Sequence, residues 1–260
     1  MYSNSQKIVN ARRKRILELI REKKYVSILQ LQKILFISEA TIRRDLLELD
    51  KLSLIKKIPG GAISIAENNY EQPLNYKTKE NLAQKKFIAK IAYGLVSEHQ
   101  TIFLDSSSTT YILARELVRI NHLRILSNSI YTASLLSTNP TIEAYCPPGK
   151  IAHKLGTIFN YQTSLYIKQH HADIAFLSCR GFDPNFGASD YLEYEAEIKR
   201  CYVENAHKII LLIDSSKWNK NFFFQSIPLE KISVIISDKA PSEDICTILN
   251  KKNIPLLTDL

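Results

Sequence analysis

Apolar positions along the chain follow two rhythms, and the change between them falls in a polar stretch at residues 66–80. Before it, apolar residues recur at the helical spacings of three and four. Ile16, Leu17 and Ile20 predict a helix over residues 11–24, behind the basic run Arg12-Arg13-Lys14-Arg15. The YVSI segment reads as a short extended piece, and Ser27 is placed to cap a second helix through Leu31, Ile34 and Leu35. Phe36 and Ile37 make the turn into a third helix, residues 38–52. There Ile42, Leu46 and Leu49 share one face, while Thr41, Arg43 and Arg44 point elsewhere. Ser38 is its expected cap, because a hydroxyl at that position accepts from a first-turn N–H that has no helical partner. Residues 54–66, LIKKIPGGAISIA, then place two β-prone pieces around Pro59-Gly60-Gly61, which predicts a hairpin.

After residue 80 the pattern becomes short apolar runs separated by helical ones. A helix to about Ser97 carries Ile88, Ile91, Ala92 and Leu95 on one side. Strands are expected at 101–105, 123–128, 141–147, 172–179, 208–214 and 232–238, with helices at 109–118, 130–137, 161–169, 191–205 and 242–251. Apolar strands divided by helices argue for a parallel sheet covered on both faces. The expected architecture is α/β: a winged helix-turn-helix domain over residues 1–65, a linker at 66–76, and a larger α/β domain with a mostly parallel sheet over 77–260.

Charge sharpens this division. Residues 1–60 carry 14 lysines and arginines against 6 acidic residues, so nearly all of the chain's net +9 lies in its first quarter. A concentrated positive patch is the footprint of a polyanion. Nucleic acid is the leading partner; an anionic membrane is the lesser one, since residues 11–24 are too short and polar to bind a bilayer alone. The N-terminal MYSNSQKIVN lacks a secretory hydrophobic stretch and no run approaches a membrane span, which makes a cytoplasmic protein the expectation. Cys146, Cys179, Cys201 and Cys246 are far apart and read as free thiols; no metal is expected.

The third helix presents a basic, hydroxyl-bearing first turn behind a buried face, which is what major-groove reading requires: an arginine can donate two bonds to one guanine edge. A solvated surface helix would show the same fifteen residues. Lys56 and Lys57 in the hairpin suit phosphate contacts, which position a protein without reading sequence. In parallel sheets ligands collect beyond the carboxyl ends of the strands. The first such loop is Asp105-Ser106-Ser107-Ser108-Thr109-Thr110, where hydroxyls and free N–H groups at a helix start make an anion site, although Ser and Thr also cap helices everywhere. Asn128, Gly149, Gly181 and the segment Asp214-Ser215-Ser216-Lys217 follow later strands, and Lys217 offers a cation to the same ligand.

Residues 8–66 resemble the winged helix-turn-helix of the DeoR family of bacterial transcription regulators, through Ser38-Glu39-Ala40-Thr41-Ile42-Arg43-Arg44-Asp45-Leu46 and Gly60-Gly61-Ala62. Residues 77–255 resemble the family's effector domain, through IFLDSSSTT, LSNS, PPGKIAHKLG, ADIAFLSCRGFDPNFGASD, EAEIK and LLIDSSKW. That domain is related to ribose-5-phosphate isomerases and senses phosphorylated sugars. The resemblance implies operator contacts from Ser27, Ser38, Glu39, Ala40, Thr41, Arg43, Arg44, Lys56, Lys57, Gly60 and Gly61. It implies effector contacts from Asp105, Ser106, Ser108, Thr109, Thr110, Asn128, Gly149 and Lys217, with Glu195 and Lys199 as weaker ones. Four positions depart from the family pattern: Phe36 in the turn, Pro59 before the wing glycines, Ser107 where glycine is common, and Pro148 in place of a first glycine. A positive φ or a close phosphate at the last two would be hindered by a side chain.

The expected function is therefore a homo-oligomeric DNA-binding regulator, a repressor of sugar-metabolism genes relieved by a phosphorylated sugar, with no cofactor and no catalytic site. An isomerase-like enzyme carrying a DNA-binding domain is the alternative, built on Asp105, Glu193, Glu195 and Lys217. No dinucleotide, nucleoside-triphosphate or nucleophile-elbow motif accompanies them. A DNA-binding architectural protein with an inactive second domain is a third reading.

Overall fold

The computed structural model describes residues 4–23, 25–52, 54–64, 73–152 and 155–259. Most of the expected linker, residues 65–72, lies outside the described residues, as do His153 and Lys154 of the PPGKIAHKLG stretch. Contacts divide the chain into two compact units, Met1–Pro73 and Leu74–Leu260.

The first unit contains α1 (Asn4–Lys23), β1 (Tyr25–Ser27), α2 (Ile28–Leu35), α3 (Glu39–Lys51), β2 (Ile55–Ile58) and β3 (Gly61–Ser64). Its antiparallel sheet has the order β1-β3-β2, so the hairpin is completed by the strand between the first two helices. Ile16, Leu17 and Ile20 of α1, Leu31 of α2, and Ile42, Leu46 and Leu49 of α3 are all buried, and Val26, Ile55 and Ala62 of the sheet join them. Gly60 turns the hairpin with φ of 78°. A Cβ on Gly61 would lie 2.4 Å from the Val26 carbonyl oxygen, so the second glycine lets β3 close on β1.

The second unit opens with α4 (Leu74–Lys77) and α5 (Leu82–Tyr93), followed by β4 (Thr101–Leu104), α6 (Ser108–Leu117), β5 (Arg124–Ser127), α7 (Ile130–Leu136) and β6 (Glu143–Tyr145). Next come β7 (Lys150–Ile151), β8 (Ile158–Phe159), α8 (Tyr161–Lys168), β9 (Ala172–Leu177), β10 (Gly181–Asp183), β11 (Gly187–Asp190) and α9 (Glu193–Glu204). The unit closes with β12 (Ala206–Leu212), β13 (Phe224–Ile227), β14 (Val234–Ile236), α10 (Glu243–Lys251) and β15 (Leu256–Leu257). Seven strands form one sheet of order β15-β14-β12-β9-β4-β5-β6, and every pairing in it is parallel. Alternate residues of β9 feed separate cores. Ala175 and Leu177 pack with Tyr202 of α9 and Leu249 of α10. Ile174 and Phe176 pack with Ile88 of α5 and Leu113 of α6.

The chain runs outward from β4 through β5 to β6, then returns to lay β9 on the other side of β4. The strand order thus reverses between β4 and β9, and in open parallel sheets ligands collect beyond the carboxyl ends of the strands at such a switch point. Four features differ from the sequence expectation. The polar segment before the second domain contains α4, β15 adds a seventh strand to the parallel sheet, and neither the antiparallel pair β7-β8 nor the antiparallel ribbon β10-β11-β13 was foreseen. The ribbon's first two strands are rich in Gly, Ser and Asp, and lack the apolar run that marks the central sheet.

Candidate functional site

On the first unit the candidate site is the outward side of α3 with the adjoining hairpin. Ser38 has extended backbone and caps α3 by accepting from the Thr41 N–H at 3.4 Å, and its Oγ lies 2.9 Å from Thr41 Oγ1. Ser27 caps α2 in a reciprocal box with Gln30, each side chain bonded to the other residue's N–H. These serines therefore set helix starts. Glu39, Ala40, Arg43 and Arg44 are exposed and Thr41 is half-buried. Arg43 is tied to Glu39 one turn earlier at 2.6 Å, and Arg44 stands clear of that pair. Lys56 and Lys57 are exposed on the edge strand β2, whose Lys57 N–H donates to Asp50 of α3 at 2.8 Å. Phe36 is 91% exposed and adopts the left-handed conformation at the end of α2, with φ of 54°. This is the position where a small residue is usual, and the backbone shows why.

The sequence reading missed Asp45. It lies on the apolar stripe of α3 and is 1% exposed. Its two oxygens accept from two residues of α1: Arg12 Nε at 2.5 Å and Arg13 Nε at 2.9 Å. A signal for this existed, since a buried carboxylate three residues from Ile42 and four from Leu49 demands charged or hydrogen-bonding partners.

On the second unit the switch point is organised by Asp105, which directly follows β4 and is also 1% exposed. Its Oδ1 accepts from the Ser107 N–H at 3.0 Å and the Thr110 hydroxyl at 2.9 Å. Its Oδ2 accepts from the Ser178 N–H, just past β9, at 2.9 Å. Asp105 thus joins the ends of the two strands that flank the switch point. Ser107 caps α6 with φ of −73°, an ordinary conformation for a side-chain-bearing residue, so no positive φ calls for glycine here.

Several candidate effector contacts are engaged within the protein. Thr110 is fully buried and spends its hydroxyl on Asp105. Asn128 donates to the Ile158 carbonyl at 3.2 Å and is bonded to the Tyr202 hydroxyl through both its backbone and its side chain. Gly149 is exposed, and a Cβ there would lie 2.2 Å from Thr163 Oγ1. Lys199 is buried with its Nζ 2.7 Å from Asp190 and 3.9 Å from Asp105. Burial works against its charge, but Asp190, Asp105 and Glu195 outweigh burial and hold the pKa above the ordinary lysine value. Thr110, Asn128 and Lys199 thus hold the ends of the strands through bonds within the protein.

The hydroxyls of Ser106, Ser108 and Thr109 have no hydrogen-bond partner among the described residues, and the α6 N-terminus lies beside them. Lys217 ends a short 3₁₀ turn after β12. Burial lowers its pKa, and the charge of Arg180 adds to that, against the pull of Asp214. Burial pushes the Cys179 thiol up to about 12, with the charge of Asp190 adding to it and those of Lys199 and Lys217 opposing it. Asp214 anchors the turn: it accepts from the Ser216 N–H at 3.0 Å and the Ser216 hydroxyl, and also from Asn81 Nδ2 at 3.2 Å. Lys85 is buried beside it and donates to the carbonyls of Lys77 at 2.5 Å and Glu80 at 2.8 Å.

The loop 105–110 offers hydroxyls and helix N–H groups to an anion. Among the described residues no group of three acidic, His or Cys side chains is placed to hold a metal ion, and no helix is long and apolar enough to cross a membrane.

Comparison with known proteins gives two family matches. Residues 12–68 match the DeoR-like helix-turn-helix domain, and residues 80–239 match the DeoR C terminal sensor domain. The chain is 32% identical to the HTH-type transcriptional regulator GolR of Listeria innocua, over 87% of this chain and 89% of that one. It is 26% identical to the HTH-type transcriptional repressor GlcR of Bacillus subtilis, over 93% of each. It is also 26% identical to the glycerol-3-phosphate regulon repressor of Escherichia coli, over 93% of this chain and 95% of that one.

Proposed function

Because this chain belongs to the DeoR family of DNA-binding transcriptional regulators, we propose that it represses sugar-metabolism genes and leaves its operator when a phosphorylated sugar binds the second unit. In this reading α3 enters the major groove, with Arg44 and Thr41 at the base edges and Arg43 released from Glu39 on contact. Lys56 and Lys57 rest on phosphates. One short helix meets few base pairs, so a homo-oligomer reading repeated half-sites supplies the remaining specificity. The cytoplasm is the compartment where such a protein acts.

The observation that carries the effector assignment is the division of labour in the loop 105–110. Asp105, Ser107 and Thr110 are consumed in holding it, while Ser106, Ser108 and Thr109 keep their hydroxyls for a ligand. A phosphate there gains from the dipole of α6, and Lys217 answers its charge. The name of the glycerol-3-phosphate regulon repressor supports a link to a phosphorylated metabolite by kinship alone, and that of the repressor GlcR supports repression.

Calorimetry of the full chain with glycerol 3-phosphate, ribose 5-phosphate and a hexose 6-phosphate tests the reading, together with operator affinity measured with and without each. At least one ligand should bind, remain unconverted, and weaken operator binding by about 5- to 150-fold. Lys217→Ala and Thr109→Ala should lose that response and keep operator affinity. Conversion of a sugar phosphate, or binding that leaves operator affinity unmoved, overturns it.

A further inference from the structure

The apolar face of α3 cannot by itself set the direction of Arg44. Contacts through Ile42, Leu46 and Leu49 are non-directional and tolerate a roll of the helix about its axis. A roll of about 20° carries an atom about 6 Å from the axis through about 2 Å, enough to lose a hydrogen bond to a base edge. Something directional has to hold the phase.

Asp45 supplies it. The carboxylate is one residue along from Arg44, is almost fully buried, and places one oxygen on each of two neighbouring guanidinium groups of α1. The arginine side chains are 22% and 25% exposed, so the cations sit at the boundary and the anion sits beneath them. Two bonds to two oxygens of one carboxylate fix its plane, and with it the roll and axial position of α3 against α1. An ionic group is an expensive way to stabilise a core, and its best-attested use is to enforce one register where apolar packing allows several.

We infer that Arg12 and Arg13 are positioning residues of the DNA reader: through Asp45 they lock the rotation of α3 and so aim Arg44. They act on which sequence is bound, more than on how tightly DNA in general is held. The inference rests on the reading of α3 as the recognition helix.

The test uses the full chain and a duplex selected by the wild-type protein from a random-sequence library, with a scrambled duplex of equal length beside it. The variants are Arg12→Lys with Arg13→Lys, which keeps both charges and removes the planar donors, Asp45→Asn, and Arg44→Ala as the control for the reader. Circular dichroism at the assay temperature identifies the variants that are folded. A merely structural loss lowers both affinities alike and leaves their ratio untouched. The paired lysine variant should lower the ratio of selected to scrambled affinity by tenfold or more, with scrambled affinity and salt dependence within twofold of wild type. Asp45→Asn should do the same wherever it folds.

A wild-type ratio in the paired lysine variant overturns the inference. Arg12→Ala with Arg13→Ala gives the other overturning result: an unchanged ratio with a salt slope that falls by about 0.9 for each arginine replaced, which would make them phosphate contacts. If Arg44→Ala keeps the ratio while the lysine variant lowers it, the reader is another residue of α3 and the lock stands. If neither lowers it, α3 is not the reader and both readings fall.

Discussion

Two carboxylates, one in each unit, are buried to the same degree and held by different chemistry. Asp45 meets two guanidinium groups that themselves reach solvent. Asp105 meets two backbone N–H groups and a hydroxyl, with the Lys199 ammonium farther off and already paired to Asp190. The first arrangement leaves mobile partners that water can rescue, whereas the second leaves fixed donors that it cannot. A charge that orients a helix is thus cheap to lose, and a charge that knits two strand ends together is not.

Asp105→Ala should break this comparison open most widely. It strands the Ser107 and Ser178 N–H groups and uncovers one side of Lys199, and should destabilise the protein by about 3–5 kcal/mol. Asp45→Ala should cost only about 1–2 kcal/mol, because Arg12 and Arg13 can turn outward to water. Urea denaturation followed by circular dichroism measures both; equal costs would mean that solvent access of the partners does not govern the outcome.

Lys85 sharpens the contrast from the other sign of charge, since it is buried against carbonyl oxygens. Burial lowers its pKa to about 8, with Asp214 partly opposing this. Between about pH 8 and 10.5 the unfolded chain holds a proton there that the folded chain does not, so stability contributed at this site rises with pH across that window. Below pH 8 the cost of the buried charge is present in full. Relative to Lys85→Met, the wild type should gain about 3 kcal/mol between pH 8 and 10.5. Parallel denaturation curves at several pH values measure the difference, and a constant gap refutes the assignment.

The smallest effect tests backbone in place of charge. Phe36 holds a left-handed conformation with its ring in water, so Phe36→Gly should stabilise the first unit by about 1 kcal/mol, visible as a raised urea midpoint at unchanged slope. Destabilisation would show that the ring makes a contact worth more than the strain.

The parts of the fold that were legible are those where local pattern and burial coincide. The runs TIFL, ADIAFL and AHKIILL announce central parallel strands because both of their faces are covered. Ser27 and Ser38 announce helix starts because a cap is a bond between residues three apart. The exposed side of α3 followed from the same helical phase. The rest depends on partners distant in sequence. Asp105 carried the mark of a loop carboxylate, but Ser178, whose N–H engages its second oxygen, comes 73 residues later. Asn128 was inspected for its place after a strand, while its bond to Tyr202 reaches across 74. The ribbon β10-β11-β13 hides for another reason: residues such as Ser189 and Asp190 are buried there by satisfied hydrogen bonds, which hydrophobic pattern does not register.

Trp218 is the chain's single tryptophan, and it directly follows Lys217. Its ring stands edge-on to Phe182 at 5.2 Å, and its indole N–H is buried without a hydrogen-bond partner among the described residues. An indole so placed is an optical gauge that needs no label. Its emission should be blue-shifted at rest, and any movement that brings water or a new acceptor to that N–H should shift it to the red. The cation proposed to meet the ligand therefore carries its own fluorophore, and a single cuvette can follow occupancy of this unit while DNA is followed separately.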